Sequence, residues 1–445
     1  MRPDTIAAVA TPPGSGALAV IRVSGPDALA AVSACVGQTH WKPRMAALGW
    51  MRDVGGAPID QVLATWFPSP ASFTGEDVVE VSCHGGMLVT RRVLERILAC
   101  GVRPAEAGEF SYRAFLNGKM DLTQAEAVMD VISAGGDLAL RAAQHQLEGA
   151  IGARVSARIE ELVALTARVE ACIDFPDEAM DPGLSRDVAS RLIRVHDDLG
   201  ALLGTADCGR LLREGIRTVI VGPPNVGKSS LLNALLGYER AIVSGMAGTT
   251  RDTIEERVQF GGLNLRLVDT AGLRDSSDPV ERAGMERSRR AGAEADLLIE
   301  VADASCEPVE FELPSGAPLH LLVLNKADLG VHPAWRTSGR SGVEFSCTQA
   351  LGRDELERAV IACITRSHHL NESGGLLAVN ARHCHALRRA IAALDAAGES
   401  LKRGDYPELT AFELREALEC LGTITGRVDT EDILDSVFSQ FCLGK

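Results

Sequence analysis

Residues 222–230 read Gly-Pro-Pro-Asn-Val-Gly-Lys-Ser-Ser. They satisfy the pattern G-x-x-x-x-G-K-[ST], with Gly222, Gly227, Lys228 and Ser229 at the fixed positions. The apolar run Ile216–Val221 before them predicts a buried strand, and residues 230–236 (SLLNALL) have helical spacing. Strand, glycine-rich loop and helix in that order put backbone N–H groups and a helix N-terminus around a phosphate chain. In such a loop Asn225, Val226, Gly227, Lys228, Ser229 and Ser230 surround the phosphates. Lys228 neutralises β/γ oxygens and Ser229 offers its hydroxyl to Mg²⁺.

Further along the chain come the stretches that turn a phosphate loop into a guanine-nucleotide site. Residues 244–252 (SGMAGTTRD, with Ser244, Gly245, Met246, Ala247, Gly248, Thr249 and Thr250) carry the hydroxyls of a loop that closes on Mg²⁺ and the γ-phosphate. A strand over 263–268 leads into Asp269, Thr270, Ala271 and Gly272, an aspartate near Mg²⁺ and a glycine N–H for the γ-phosphate. A strand over 319–324 ends in Asn325, Lys326, Ala327 and Asp328. The Asp328 carboxylate accepts two hydrogen bonds from a guanine edge, which adenine lacks, and an unpaired polar site rejects the wrong base by on the order of 10⁴. Residues 343–345 lead into Ser346 and Cys347, where a backbone N–H can reach the guanine oxygen. Each stretch follows an apolar strand, where ligand-binding loops of parallel sheets lie. Leu273 follows this Asp-Thr-Ala-Gly run where Ras-like proteins use a water-orienting Gln, so hydrolysis must draw on another group. Glu281 is the candidate to hold water, and Asn225 the candidate for a monovalent cation.

A length of 445 residues suggests about three domains. Aromatics are only 4% of the chain, so its cores must be aliphatic and alanine-rich. No apolar stretch approaches the ~20 residues of a membrane span, and the N-terminus lacks a signal-peptide layout; a cytoplasmic location is the expectation. The eleven cysteines include no C-x-x-C pair, which argues against a zinc ribbon or a disulfide framework. His383-Cys384-His385 reads as packing or surface, because i and i+2 on a helix face different ways. Cys442 begins a C-L-G-K tail that fits no lipidation signal. The net charge of −15 means that any nucleic-acid role needs a local basic patch or a basic partner. The stretch 282–290 (RAGMERSRR) is one such cluster, or simply a solvated helix face.

The fold class expected is multidomain, α/β plus α. Residues 1–118 form a small α/β domain, with strands over 6–10, 18–23, 61–67 and 78–82 and helices over 26–35 and 88–100. Residues 119–210 are helical: one helix opened by a capping box of Thr123 and Glu126, one long helix with a stripe through Leu140, Leu147, Ile151, Val155, Ile159, Val163 and Val169, and a third over 185–206. Residues 211–370 are the nucleotide-binding α/β domain, and 371–445 are helical again, over 380–403, 410–421 and 430–441. An α/β domain with helices on both sides in sequence reads as one inserted into a single helical domain. His84, before Gly85-Gly86, is either a ligand-binding turn or a helix entrance.

The chain resembles the bacterial MnmE (TrmE) family of tRNA-modification GTPases over essentially its whole length. The resemblance rests on IAAVATPPGSGALAVIRVSG at 6–25, FTGEDVVEVSCHGG at 73–86, GEFSYRAFLNGKMDLTQAEA at 108–127, the nucleotide motifs, and FCLGK at 441–445. It implies an N-terminal folate-binding and dimerisation domain, a helical bundle domain, and an inserted P-loop GTPase domain of Ras-like fold. The folate site, for a 5-formyl- or methylene-tetrahydrofolate, matches Arg22, Glu80, Lys119 and Lys445. A potassium ion matches Asn225, Ser244, Met246 and Thr249; Mg²⁺ matches Ser229 and Thr250; the catalytic glutamate matches Glu281. The implied protein is a homodimer that joins a flavoprotein, MnmG (GidA), in a heterotetramer and places a carboxymethylaminomethyl group on carbon 5 of the wobble uridine of tRNA. Residues 244–250 depart from the family's usual T-D-I-A-G-T-T, Pro223-Pro224 replaces a single proline, and Cys347 stands for alanine. The alternatives are a ribosome-assembly GTPase, a non-hydrolysing GTP switch, and a folate-dependent transferase with a regulatory GTPase.

Overall fold

The structure, a computed structural model, describes residues 4–174, 182–238, 256–268, 294–311, 313, 319–349, 351–367, 377–428, 431–439, 441 and 444. The chain divides into two compact units, Met1–Met129 with Gly422–Lys445, and Asp130–Leu421.

The first unit is built on a six-stranded sheet in the order β3-β4-β5-β2-β1-β6. Its strands are β1 (Ile6–Val9), β2 (Leu18–Ser24), β3 (Ala46–Arg52), β4 (Pro58–Phe67), β5 (Val78–His84) and β6 (Arg103–Pro104). All neighbours are antiparallel except β1 and β6. In β2, Ala19, Ile21 and Val23 are buried while Leu18, Val20 and Arg22 point the other way, the period-two pattern of a strand with one covered face. Helices α1 (Ala28–Val36) and α2 (Met87–Leu98) cover that face, packing Val32, Val93 and Ile97 on Ile21, Val79 and Val81. α3 (Glu109–Leu116) and the start of α4 (Leu122–Ser133) follow.

The chain's far end returns to this unit. In the last helix, Glu431–Phe438, Phe438 meets Tyr112 edge-on at 5.2 Å between ring centroids and Phe441 at 5.4 Å. Two glycines allow the approach. A Cβ on Gly108 would lie 2.5 Å from the Phe438 carbonyl oxygen, and one on Gly444 2.3 Å from that of Val9, and both hold positive φ.

The second unit carries another six-stranded sheet, β12-β11-β10-β7-β9-β8: β7 (Ile216–Val221), β8 (Glu256–Phe260), β9 (Leu263–Leu267), β10 (Leu297–Asp303), β11 (Leu319–Asn325) and β12 (Val343–Glu344). Only β8, at one edge, runs antiparallel. β10 is buried along nearly its whole length, as a central parallel strand covered on both faces must be. The helices, in chain order, are α5 (Asp137–Leu147), α6 (Ala150–Asp174), α7 (Pro182–Leu203), α8 (Ala206–Glu214), α9 (Lys228–Tyr238), α10 (Ala334–Thr337), α11 (Arg353–Ser367), α12 (Ala381–Arg403) and α13 (Pro407–Thr425); Glu431–Phe438 is α14. α7 packs along α12. Arg213 of α8 donates to the carbonyls of Ala378 (2.9 Å) and Val379 (2.6 Å), so the chain just before the sheet is tied to the chain just after it.

Several expectations need correcting. The single long helix after Gly136 is two, α5 and α6, broken at Gly149 with φ 89°. The break shifts the helical phase. Leu147 is 38% exposed and Val163 52% exposed, and Leu162 and Leu165 take the buried stripe instead. The capping box of α4 belongs to Asp121 and Gln124: Gln124 N–H donates to Asp121 Oδ1 (2.9 Å) and Asp121 N–H to Gln124 Oε1 (3.0 Å). A carboxylate two residues earlier outcompetes Thr123, whose hydroxyl donates to that same Oδ1 at 2.7 Å. Strands β3, β6, β8 and β10 and helices α3, α8, α10 and α11 have no counterpart among the expected elements. His383 follows the packing reading: it is wholly buried and completes the capping box of α12, whose N-cap is Asn380; its N–H donates to Asn380 Oδ1 at 2.8 Å and its Nδ1 accepts from Asn380 N–H at 3.4 Å. No metal-ligating cluster occurs among the described residues.

Candidate functional sites

The loop 222–227 lies between β7 and α9, and its backbone is forced into shape by close contacts. Gly222 has φ 147°, and a Cβ there would sit 2.2 Å from the Val301 carbonyl oxygen; Gly227 has φ 98°, and a Cβ there would sit 2.2 Å from Asn325 Nδ2. Asn225 adopts φ 61° without being glycine, a left-handed conformation Asn tolerates better than most residues. Neighbouring strands hold this shape. Asn325, 2% exposed, donates from Nδ2 to the Val226 carbonyl at 2.9 Å. Lys326 donates from Nζ to the Asn225 carbonyl at 2.9 Å and to Asp303 Oδ2 at 2.6 Å. Asp303 ends β10 and Asn325 ends β11, so the carboxyl ends of two strands brace the loop.

Lys228 folds back over the loop, donating from Nζ to the carbonyls of Gly222 (2.9 Å) and Pro223 (2.7 Å). Burial lowers its pKa, and among the described residues no carboxylate pairs with it. A half-buried ammonium held by two backbone carbonyls, at the N-terminus of a helix that follows a glycine-rich loop, suits an anionic ligand. Ser229, the second residue of α9, is partly exposed beside it, where a hydroxyl can reach a cation.

At the other side of the β11 end, the Asp328 carboxyl is held below the usual range by hydrogen bonding, first from Ser346 and also from Thr348, whose hydroxyl reaches Oδ2 at 3.3 Å. An acceptor kept ionised in this way matches a pair of N–H donors. Cys347 is half-buried and donates from Sγ to Asn325 Oδ1 at 3.3 Å. The N–H of Ser346 is taken by the Leu351 carbonyl at 3.0 Å, so a backbone donor to a guanine oxygen has to come from a later residue of that loop. The structure thus brings together Asn225, Val226, Gly227, Lys228, Asn325, Lys326, Asp328, Ser346 and Cys347, with Ser229 and Ser230 on the first turn of α9. Residues 244–250 (Ser244, Gly245, Met246, Ala247, Gly248, Thr249 and Thr250), Asp269, Thr270, Ala271, Gly272 and Glu281 lie outside the described residues, as does the basic stretch 282–290.

In the first unit, Arg22 and Glu80 stand directly opposite each other on β2 and β5. Arg22 donates to Glu80 Oε1 from Nε (3.0 Å) and Nη2 (2.8 Å). Its guanidinium also lies 4.9 Å from the centroid of the Phe73 ring, a cation–π contact that fixes its plane. Glu80 lines an open cavity of about 440 Å³ with Arg44, Phe67, Phe73, Val78 and Lys119, a volume in the range of small-molecule sites. Lys119 donates from Nζ to the Pro70 carbonyl at 3.1 Å. Both Arg22 bonds fall on Oε1, so Oε2 has lone pairs for a ligand N–H. Aromatic walls, one carboxylate and two cations are a donor set that fits a flat heterocycle with an anionic tail. Lys445 lies outside the described residues. Sequence reasoning missed Arg44, which has φ 60° and hydrogen-bonds the Ala71 carbonyl; a lone arginine in a loop gives no signal. It also missed Asp303, because β10 was not foreseen.

A family profile described as the MnmE helical domain matches residues 122–442, and one described as the GTP-binding protein TrmE N-terminus matches residues 5–119. A protein named tRNA modification GTPase MnmE from Akkermansia muciniphila is 57% identical, with 99% of each chain covered. This chain belongs to the MnmE family of tRNA modification GTPases. Further MnmE proteins, from Opitutus terrae and Psychrobacter arcticus, are 47% and 42% identical, covering 99% of this chain and 99% and 96% of their own. The helical MnmE profile begins at α4 and runs on past α14, so it embraces the nucleotide-binding sheet within it. The TrmE profile covers the whole first sheet, from Thr5 at the start of β1 to Lys119 in the cavity wall. Among the described residues no helix is long and apolar enough to cross a membrane.

Proposed function

We propose that this chain hydrolyses GTP at the loop 222–230 and uses the cycle in modifying the wobble uridine of tRNA. The observation that carries the reading is the convergence of Lys228, Asn325 and Asp328 on one rim of the parallel sheet, beside a loop whose Gly222 and Gly227 pack too closely on Val301 and Asn325 to admit a Cβ. Lys228 binds β/γ-phosphate oxygens, and Asp328 accepts the two guanine N–H donors. Ser229 and Thr250 hold Mg²⁺. Asn225, Ser244, Met246 and Thr249 hold K⁺, whose charge stands where other GTPases place an arginine, and Glu281 orients the attacking water.

The cavity beside Arg22 and Glu80 takes a tetrahydrofolate one-carbon donor, with Lys119 and Lys445 near its acidic tail. The domains that divide this labour are 1–118 for folate and dimerisation, 211–370 for GTP, and 119–210 with 371–445 as the helical frame. The protein works in the cytoplasm as a homodimer. Leu18, Leu48, Trp50 and Leu63, each between 47% and 66% exposed, share the uncovered face of the first sheet, and an apolar face of that kind favours pairing. The flavoprotein MnmG supplies the redox chemistry that adds carboxymethylaminomethyl at carbon 5. With a net charge of −15 on this chain, most of the grip on tRNA comes from that partner.

The test is GTP hydrolysis in KCl against NaCl at equal ionic strength. Stimulation of about tenfold or more by K⁺ is expected. Equal rates in the two salts would remove the cation from the mechanism.

A further inference from the structure

The two described thiols nearest each other lie in the first unit, away from both sites above. Cys35, near the end of α1, is 1% exposed. Cys100, two residues beyond the end of α2, is partly exposed. Their sulfurs are 3.5 Å apart. Arg96 completes the group. Its Nη1 lies 3.0 Å from Cys100 Sγ, and its carbonyl oxygen faces both thiols, at 3.7 Å from Cys35 and 3.8 Å from Cys100. Its Nε donates to the Arg52 carbonyl of β3 at 2.9 Å, which anchors the guanidinium.

We propose that Cys35 and Cys100 are a reversible redox pair, with Cys100 the thiol attacked by a hydroperoxide and Cys35 the thiol that resolves it. The roles follow from the surroundings. The partly exposed sulfur has a fixed positive charge beside it, the setting of reactive cysteines. The other is buried behind it, and burial, reinforced by Cys100, pushes its thiol up to about 12, so it waits protonated. Cys100, as the thiolate, attacks a peroxide oxygen; the O–O bond breaks, giving the Cys100 sulfenic acid and hydroxide. Cys35 then attacks the sulfenic sulfur: an S–S bond forms, the S–O bond breaks, and water leaves with the Cys35 proton. The hydroxide takes up the proton first lost by Cys100. Two thiols are oxidised, one hydroperoxide is reduced, and for hydrogen peroxide two waters result. In a reducing compartment such a bond is transient and reversed by thiol exchange. It would staple α1 to the end of α2, the two helices covering the first sheet.

The test treats the full-length protein with a few equivalents of hydrogen peroxide, blocks remaining thiols, and maps disulfide-linked peptides by mass spectrometry. A Cys35–Cys100 linkage that dithiothreitol removes is expected. The oxidised protein should melt higher than the reduced one, by about 5 °C. In Cys35→Ala the sulfenic acid is trapped by dimedone on Cys100, and in Cys100→Ala no comparable adduct forms on Cys35. Recovery of both thiols unmodified, while exposed Cys306 is oxidised, would overturn the proposal. So would a dimedone adduct on Cys35 in preference to Cys100. The wild-type peptide map stands even if an alanine variant folds poorly.

Discussion

At the nucleotide loop, the groups that would meet a ligand are consecutive in the chain and largely backbone. Around the first unit's cavity they are side chains, and the central pair, Arg22 and Glu80, is 58 residues apart. The loop is shaped by what cannot fit: Gly222 and Gly227 approach Val301 and Asn325 too closely for any Cβ. The cavity is shaped by what is present: aromatic rings, a carboxylate and cations gathered by strand register. A site of the first kind writes itself into a short motif. A site of the second kind exists only once β2 and β5 pair in the right register, since a slip of one residue would turn Glu80 to the opposite face.

That difference can be tested by breaking each site and reading both. The largest effect is expected from Lys228→Ala, which removes the ammonium that folds back over the phosphate loop. GTP hydrolysis should fall about 100-fold or more while binding of 5-formyl-tetrahydrofolate, followed by calorimetry, stays within about twofold. Loss of both together would mean that the two sites are not independent. Next comes Glu80→Gln. It keeps the shape of the cavity but removes a charged acceptor, so folate affinity should drop on the order of 10- to 100-fold, with hydrolysis unchanged. An unaltered affinity would remove Glu80 from the ligand's contacts.

The smallest effect expected is on stability. In the first unit Asp4 is held down to about 2 by its hydrogen bond to Arg103 and also by Arg113. Arg113 in turn ties Glu109 (2.9 Å) and Glu76 (3.2 Å). A carboxylate whose folded pKa is depressed stabilises the fold above its unfolded pKa, near 3.8, and that contribution is lost as pH falls through the folded value, near 2. Asp4 is half-exposed, so solvent screening reduces the contribution to about 1 kcal/mol. Asp4→Asn should therefore flatten the fall in unfolding free energy between pH 4 and 2 in a denaturant titration. A slope identical to wild type would place that stability elsewhere.

How much of this was legible depended on locality. β7 matches its apolar run residue for residue, because a strand buried on both faces leaves no alternation to misread. The nucleotide residues of the described loops were legible for the same reason that their site is backbone-built. β3 was not, because Gly49 interrupts it and Leu48 and Trp50 face outward, so it lacks a polar side to set against an apolar one. The break at Gly149 was hidden by a stripe that remained apolar across it. Arg22, Glu80 and Lys119 came only through family resemblance. Nothing local in the sequence pairs an arginine with a glutamate 58 positions on; Phe67 is legible only as the end of a strand, and Arg44 left no trace at all.

The central claim, that the rim of the second sheet selects guanine, is tested most directly at Asp328. The specificity constants of wild-type protein and Asp328→Asn should be compared for GTP and for xanthosine triphosphate, whose base presents an oxygen where guanine presents an amino group. An amide can donate to that oxygen, so the variant should lose on the order of 10³ or more in kcat/KM for GTP and come to prefer xanthosine triphosphate. A variant that keeps the wild-type preference for GTP would contradict the assignment of Asp328 to the base, and with it the reading of the site.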